Sequence, residues 1–123
     1  MNKEQIFKQI LDAAFTVHSA LGPGLLESAY EECLFYEIKK SHLYVEKQKA
    51  LPLVYQEVKL DTGYRIDLFI EKVIIVEVKA AEALTDVHYA QLLTYMKLSD
   101  CTLGLLVNFN VAHLRNGIKR MIL

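Results

Sequence analysis

Two strongly apolar runs in the middle of the chain carry charged residues. Tyr64-Arg65-Ile66-Asp67-Leu68-Phe69-Ile70 holds Arg65 and Asp67, and Val73-Ile74-Ile75-Val76-Glu77-Val78-Lys79-Ala80 holds Glu77 and Lys79. Runs that are apolar on both faces belong to central strands covered on both sides. A lone charge buried there costs several kcal/mol unless it is paired or bound to a metal. Side chains at i and i+2 of a strand point the same way, so Glu77 and Lys79 share a face, and so do Arg65 and Asp67. If the two runs pair as a hairpin, Asp67 lies close to Glu77. Two carboxylates at one point repel, and a divalent cation between them removes that penalty. Hard oxygen ligands suit Mg²⁺ or Mn²⁺. The plain alternative is internal ion pairing, Arg65 with Glu77 or Lys79 with Asp67, which is common on adjacent strands and needs no chemistry.

Such strands need elements to cover them. Ile6, Ile10, Ala13, Ala14, Val17 and Leu21 recur at helical spacing and predict a first helix over Lys3 to Leu21. Leu21-Gly22-Pro23-Gly24 breaks it. A second helix is predicted from Leu25 to about Lys40, with Leu26, Tyr30, Cys33, Leu34 and Phe35 or Tyr36 on its inner face. Strand character starts near Leu43 and includes Tyr44, Val45 and the run Leu51 to Tyr55, where Pro52 marks an edge or a strand start. Asp61-Thr62-Gly63 is a turn signal, and Glu71-Lys72 makes a tight hairpin between the two apolar runs. The helical period returns from Thr85 to Leu98, with Tyr89, Leu92, Leu93 and Met96 as its apolar arc. Leu103 to Val107 reads as a buried strand, and Asn116-Gly117 as a turn before a last strand over Ile118 to Leu123. This order of elements is an α/β sandwich around a mixed sheet. The 123 residues, without linker or repeat, fit one domain over residues 1–123.

The same residues carry a family resemblance. Asp67, with Glu77-Val78-Lys79 on the next strand, resembles the split D…(D/E)xK signature of the PD-(D/E)XK nucleases. Gly24-Leu25-Leu26-Glu27-Ser28-Ala29-Tyr30 matches GxxExxY, the motif that names a small family in that superfamily. Val17-His18, Tyr64-Arg65-Ile66-Asp67, His88 to Tyr95, Leu105 to Phe109 and Gly117 to Arg120 resemble the same family in the expected order. Gln91 and Tyr95 match a QxxxY element found near the active sites of related nucleases. The resemblance implies a restriction-endonuclease-like α/β sandwich with a central mixed sheet flanked by helices. It implies hydrolysis of DNA or RNA phosphodiesters, with Mg²⁺ or Mn²⁺ held by Glu27, Asp67 and Glu77. Lys79 would orient the attacking water and steady developing negative charge. Gln91, Tyr95 and Arg65 would line the site or touch the nucleic acid, with Tyr30 as a core or wall residue that orients Glu27. The superfamily also holds inactive members, so a non-catalytic module that binds nucleic acid or a protein partner is the alternative.

The whole chain limits these readings. Hydrophobic residues make up 53% and charged residues 24%, which suits a globular core rather than a disordered chain. The formal net charge of −1 gives no general attraction to nucleic acid, so binding needs a local basic patch or metal ions. Lys39, Lys40, Lys47, Lys49, Lys119 and Arg120 are candidates for phosphate contact, although each also suits a solvated surface. Cys33 and Cys101 form no CxxC pair, which points to a reduced, cytoplasmic setting. The four histidines have no zinc-like spacing; His18 is open between capping the first helix and approaching the site. The N-terminal stretch is amphipathic rather than a signal peptide, and no apolar run reaches the roughly 20 residues that span a bilayer. A domain this small makes a homodimer or a protein partner plausible.

Overall fold

The computed structural model describes residues 1–61 and 63–123. Helix α1 (Lys3–Leu21) starts at a reciprocal cap between Asn2 and Gln5 and ends at Gly22, whose φ of +67° suits glycine. Five of its six expected apolar positions are buried, from Ile6 to Val17, while Leu21 is exposed at the helix end. Helix α2 (Glu27–Lys40) buries Tyr30, Leu34 and Ile38. That i, i+4, i+8 stripe defines its inner face. Leu26 and Tyr36, expected on that face, are instead exposed. Leu26 is the extended residue before the helix, and Tyr36 falls on the opposite side.

The main sheet has five strands in the order β1-β4-β5-β6-β7. They are β1 (Val45–Ala50), β4 (Arg65–Ile70), β5 (Ile74–Lys79), β6 (Leu103–Asn108) and β7 (Ile118–Ile122). Only β5 and β6 run parallel, joined by helix α3 (Asp86–Leu98), and the other neighbours are antiparallel. This is the mixed sheet that the run of elements predicts. Helices α1 and α2 cover one face, packing on Leu68, Ile70, Val76, Val78, Leu105 and Val107. Helix α3 covers the other, with Leu92, Tyr95 and Met96 against Ile75 and Leu106. Gly104 lets α3 approach β6; a Cβ there would stand 2.9 Å from the Met96 sulfur.

The apolar runs are central for the reason given by their composition: every residue of β6 and all but Lys79 of β5 are buried. Strand β1 is different. It is an edge strand, mostly exposed, so its polar run Glu46 to Ala50 needs no apolar face. Pro52 directly precedes β2 (Leu53–Tyr55), which pairs with β3 (Val58–Leu60) as a separate two-stranded sheet. The expected turn at residues 61–63 includes Thr62, which lies outside the described residues. Asn116 and Gly117 fall in a 3-10 turn over Leu114–Gly117 that leads into β7. Among the described residues, no helix is long and apolar enough to cross a membrane.

Candidate active site

The β4–β5 hairpin is closed at one end and forked at the other. Its turn is Glu71-Lys72, with Val73 N donating to Ile70 O at 3.0 Å. From there the strands pair regularly as Ile70↔Ile74, Phe69↔Ile75 and Leu68↔Val76. One step further, at Asp67 and Glu77, side chains replace the backbone ladder. Asp67 N donates to Glu77 Oε2 at 2.9 Å, and Val78 N donates to Asp67 Oδ2 at 2.9 Å. Each carboxylate therefore caps the other strand. Past the fork, β5 stays paired with β6 as far as Lys79↔Asn108.

Glu77 is 3% exposed because β5 is central and covered by α3. Burial, followed by the charge of Asp67, pushes its carboxyl up to about 8. The N–H of Asp67 and the charge of Lys79 act in the opposite direction without cancelling it, and Glu31 adds to the rise. Lys79 shares the Glu77 face, as strand alternation requires. Ion pairs among the described residues are Lys8–Asp12, Lys47–Glu32, Lys49–Glu46 and Arg120–Glu4, so neither alternative pair, Arg65–Glu77 or Lys79–Asp67, forms. The same pairs engage Lys47, Lys49 and Arg120, three of the candidate phosphate contacts.

Two residues that the sequence reading passed over complete the fork. Gln48 lies in β1 between Lys47↔Leu68 and Lys49↔Ile66, which sets it beside Asp67. Its Nε2 donates to Asp67 Oδ1 at 3.2 Å and to Glu31 Oε1 at 2.8 Å. Burial, then the charge of Asp67, pushes the Glu31 carboxyl up to about 7. Glu31 stands one helical turn after Glu27, and this i, i+4 spacing was a signal available in the sequence. Gln48 had no such signal in an exposed polar run.

The remaining expected residues are placed as follows. Glu27, the first residue of α2, is exposed, and its Oε1 accepts from Ala80 N at 3.3 Å, at the end of β5. Tyr95 is 7% exposed, and its phenol is raised by burial first, then by Glu77, Tyr64 and Asp67. Gln91 lines a groove of ≈ 320 Å³ with Tyr64, Val87, Thr94 and Tyr95. Arg65 is exposed at the start of β4, opposite Ala50. Of the core and wall alternatives for Tyr30, the fold takes the core: the residue is 0% exposed. Its hydroxyl donates to Gly22 O at 2.5 Å and accepts from Leu25 N at 3.1 Å, while its ring stacks on Phe109 at 4.7 Å. It thus fixes the α1–α2 turn and the start of α2. His18 bonds Val111 O through Nε2 at 2.8 Å and is a packed residue. His88 belongs to the α3 cap with Thr85.

The strand end that carries Lys79 is pinned by Asn108, which is 2% exposed. Its Oδ1 accepts from Ala81 N at 3.0 Å and its Nδ2 donates to Ala81 O at 3.0 Å. Phe109 N donates to Lys79 O at 2.9 Å. Asn108 stood inside a segment of family resemblance but had been given no role.

Among the described residues, no three His, Cys, Asp or Glu side chains are gathered to hold a metal. Of the three acids expected to meet, Asp67 and Glu77 form a direct pair, and Glu27 reaches Ala80. One oxygen each of Asp67 and Glu77 is engaged by a backbone N–H, and Glu27 is drawn to the end of β5. The chemistry of the donor set nevertheless fits a divalent cation. Burial first, and the charge of Asp67 second, hold the Glu31 and Glu77 carboxyls above their usual range, and carboxylate oxygens suit Mg²⁺ or Mn²⁺.

Against known proteins, the family model for the PD-(D/E)XK nuclease superfamily matches residues 4–121. No curated protein and no solved structure matches the chain.

Proposed function

The chain belongs to the PD-(D/E)XK nuclease superfamily, and on that premise we propose that it is a metal-dependent nuclease acting on phosphodiester bonds of DNA or RNA. The segment Gly24 to Tyr30 supports assigning it to the GxxExxY family, as a single catalytic domain over residues 1–123. The observation that carries the reading is the fork, where Asp67 and Glu77 meet at the point where the backbone ladder stops.

A divalent cation would supply a Lewis acid there. Asp67 and Glu77 would hold it, with a helix acid from α2 nearby. Backbone N–H groups keep the two carboxylates in fixed orientations. Lys79, on the face of Glu77, steadies negative charge as it develops on the phosphate and orients the water. Asn108 holds the strand end that presents Lys79. Tyr95 and Gln91 border the site on the α3 side, and Arg65 offers an exposed cation to a phosphate.

The test is a cleavage screen on single- and double-stranded DNA and RNA with Mg²⁺ and with Mn²⁺, with Lys79→Ala run beside the wild type. Metal-dependent cleavage is expected from the wild type. A loss of about 100-fold or more is expected in the variant, the scale for removing a charge-stabilising donor. Equal cutting by both proteins refutes the role of Lys79. Nucleic-acid binding without cleavage under every condition favours the inactive, binding-module alternative.

A further inference from the structure

The fork gathers acids. A second cavity, between the end of α1 and the segment that follows β6, has the opposite chemistry. Its volume is ≈ 580 Å³. Its polar lining is His18 and Ser19 from α1, with His113 and Arg115 from the 3-10 turn and its cap. Among the described residues, no Asp or Glu lines it. The chain explains why: no Asp or Glu occurs between Ala13 and Leu26, or between Cys101 and Leu123. We infer that this cavity binds a phosphate monoester, with Arg115 and His18 as its main polar contacts and Phe15 as a wall for the organic part. It shares no residue with the fork and does not rest on the metal-dependent reading above.

The first support is His18, which is 9% exposed. Its ring stacks on Phe109, with centroids 6.4 Å apart and planes 25° apart. Its Nε2 donates to Val111 O at 2.8 Å, and since a carbonyl only accepts, Nε2 carries the proton. These two contacts fix the ring. The other nitrogen, Nδ1, has no partner among the described residues and is not sealed from the cavity. It is a fixed polar atom on a buried ring with its bonding capacity unused. Nδ1 accepts from a P–OH or, in the imidazolium, donates to a P–O⁻.

The second support is charge. Arg115 makes no ion pair among the described residues, whereas Arg120, five residues on, is taken by Glu4. An unpaired guanidinium in an acid-free concavity makes a local positive potential in a chain of formal net charge −1. The planar fork of arginine donors matches a phosphate bidentately. A phosphate monoester also offers three acceptor oxygens, against two in a carboxylate, to donors that come from both walls.

The third support is the rest of the lining. Phe15 is 42% exposed and stands in the same cavity as Pro23 and Leu114. A bare anion leaves this apolar wall uncovered, while the flat ring of a nucleoside covers it. The phosphate can belong to the end of a nucleic-acid strand or to a free nucleotide, and the recognising chemistry is the same.

The experiment is calorimetric titration of the full chain in EDTA, without divalent cation. The probes are AMP, adenosine, inorganic phosphate, and one short single-stranded oligonucleotide in 5′-phosphorylated and 5′-hydroxyl forms. The proteins are wild type, Arg115→Ala, Arg115→Lys, His18→Gln and Lys59→Ala. The last removes an exposed cation of β3 as a control, and the glutamine keeps an amide for Val111 O. A thermal melt of each protein checks folding. AMP should bind the wild type, and adenosine about tenfold more weakly or worse, the scale of hydrogen bonds to a charged group. Arg115→Ala should weaken AMP about tenfold or more and His18→Gln about fivefold. Arg115→Lys should recover only part of the loss, because a lysine cannot bind bidentately. Lys59→Ala should stay within about twofold, since distant surface charge is screened. Tighter binding of the phosphorylated strand than of its hydroxyl form and of AMP makes a strand end the source of the phosphate; tighter binding of AMP makes it a free nucleotide, and either supports the site. A wild type that binds neither AMP nor phosphate overturns it, as do equal affinities for AMP and adenosine, or equal losses in Arg115→Ala and Lys59→Ala. Unchanged AMP affinity in His18→Gln overturns the role of His18, and inorganic phosphate binding as tightly as AMP overturns that of Phe15. With no metal present, these outcomes are independent of the fork: cleavage can fail while the phosphate site stands, and the reverse.

Discussion

The two ends of the β4–β5 hairpin are built from the same strands and do opposite things. At the turn end, three successive pairs are apolar, the ladder is regular, and Ile70, Ile74 and Ile75 are fully buried. At the other end the ladder stops, two acids cap each other's strand, and Glu77 is buried beside Asp67 with insufficient positive charge. One end stabilises the sheet; the other is held in place by it. Stability and chemistry are thus separated by two residues along a single strand, and substitutions should separate them too.

The largest effect should come at the fork. Asp67→Asn keeps an oxygen that can accept from Val78 N but removes a charge. Cleavage should fall by about 10³-fold, in the range reported for electrostatic groups acting on a developing charge. The metal-free protein should become more stable at pH 8, because the repulsion on Glu77 is relieved. A chemical melt beside a rate assay reads both. A variant that loses activity and stability together would dissolve the contrast between the two ends.

The closed end should respond the other way. Ile74→Ala removes a fully buried side chain from the core between the sheet and the α1–α2 layer. It should cost about 2–5 kcal/mol of stability, read by denaturant unfolding. Where the variant is still folded, its Mn²⁺ affinity should match wild type within a few-fold.

Acidity gives a third probe. The Glu77 carboxyl ionises from its usual 4.5 in the unfolded chain but only near 8 in the folded one. Folding therefore holds a proton that the unfolded chain has released. The metal-free protein should lose stability as pH rises from 4.5 to 8 and level off above that. On linkage grounds the loss is on the order of 2–4 kcal/mol, part of it shared with Glu31. Comparison with Glu77→Gln isolates the effect, since the variant should show a flatter profile over the same window. Mn²⁺ should raise the wild-type melting temperature more at pH 8 than at pH 5. A wild type and variant with parallel profiles would remove Glu77 as the cause.

The hairpin also shows what a sequence can disclose. Val73 to Ala80 was legible because a central strand must be apolar on both faces, so Glu77 and Lys79 stood out against it. Asp67 followed by pairing. Strand β1 was nearly silent, because an exposed edge needs no apolar pattern, and Gln48 was lost with it. Glu31 was overlooked because the spacing of a motif drew attention to Glu27. Tyr30 shows a different limit. One turn from an acid, a tyrosine reads equally as core or as a wall of the site; here its ring faces inward onto Phe109 and its hydroxyl serves the Gly22–Leu25 turn. Side-chain direction depends on which stripe of α2 meets the sheet, and that is decided by tertiary packing.

The smallest effect lies at the turn itself. Glu71 and Lys72 have φ of +52° and +56°, a left-handed pair of the kind that favours Asn-Gly, within the three-residue loop between Ile70 and Ile74. Neither residue is suited to it by its backbone. Tyr44 compensates: its N–H donates to Glu71 Oε2 at 2.6 Å, its carbonyl accepts from Glu71 N at 2.8 Å, and its ring lies 5.6 Å from the Lys72 ammonium. Lys72→Gly should relieve about 1 kcal/mol of backbone strain and forfeit about 0.5 kcal/mol of exposed cation–π attraction. The net gain should be about 0.5 kcal/mol, visible as a small rise in the unfolding midpoint. Mn²⁺ affinity and cleavage should not change, because the fork is three residue pairs away. A Lys72→Gly protein with altered metal affinity would mean that the turn and the fork communicate along the ladder, and that the two ends are not independent.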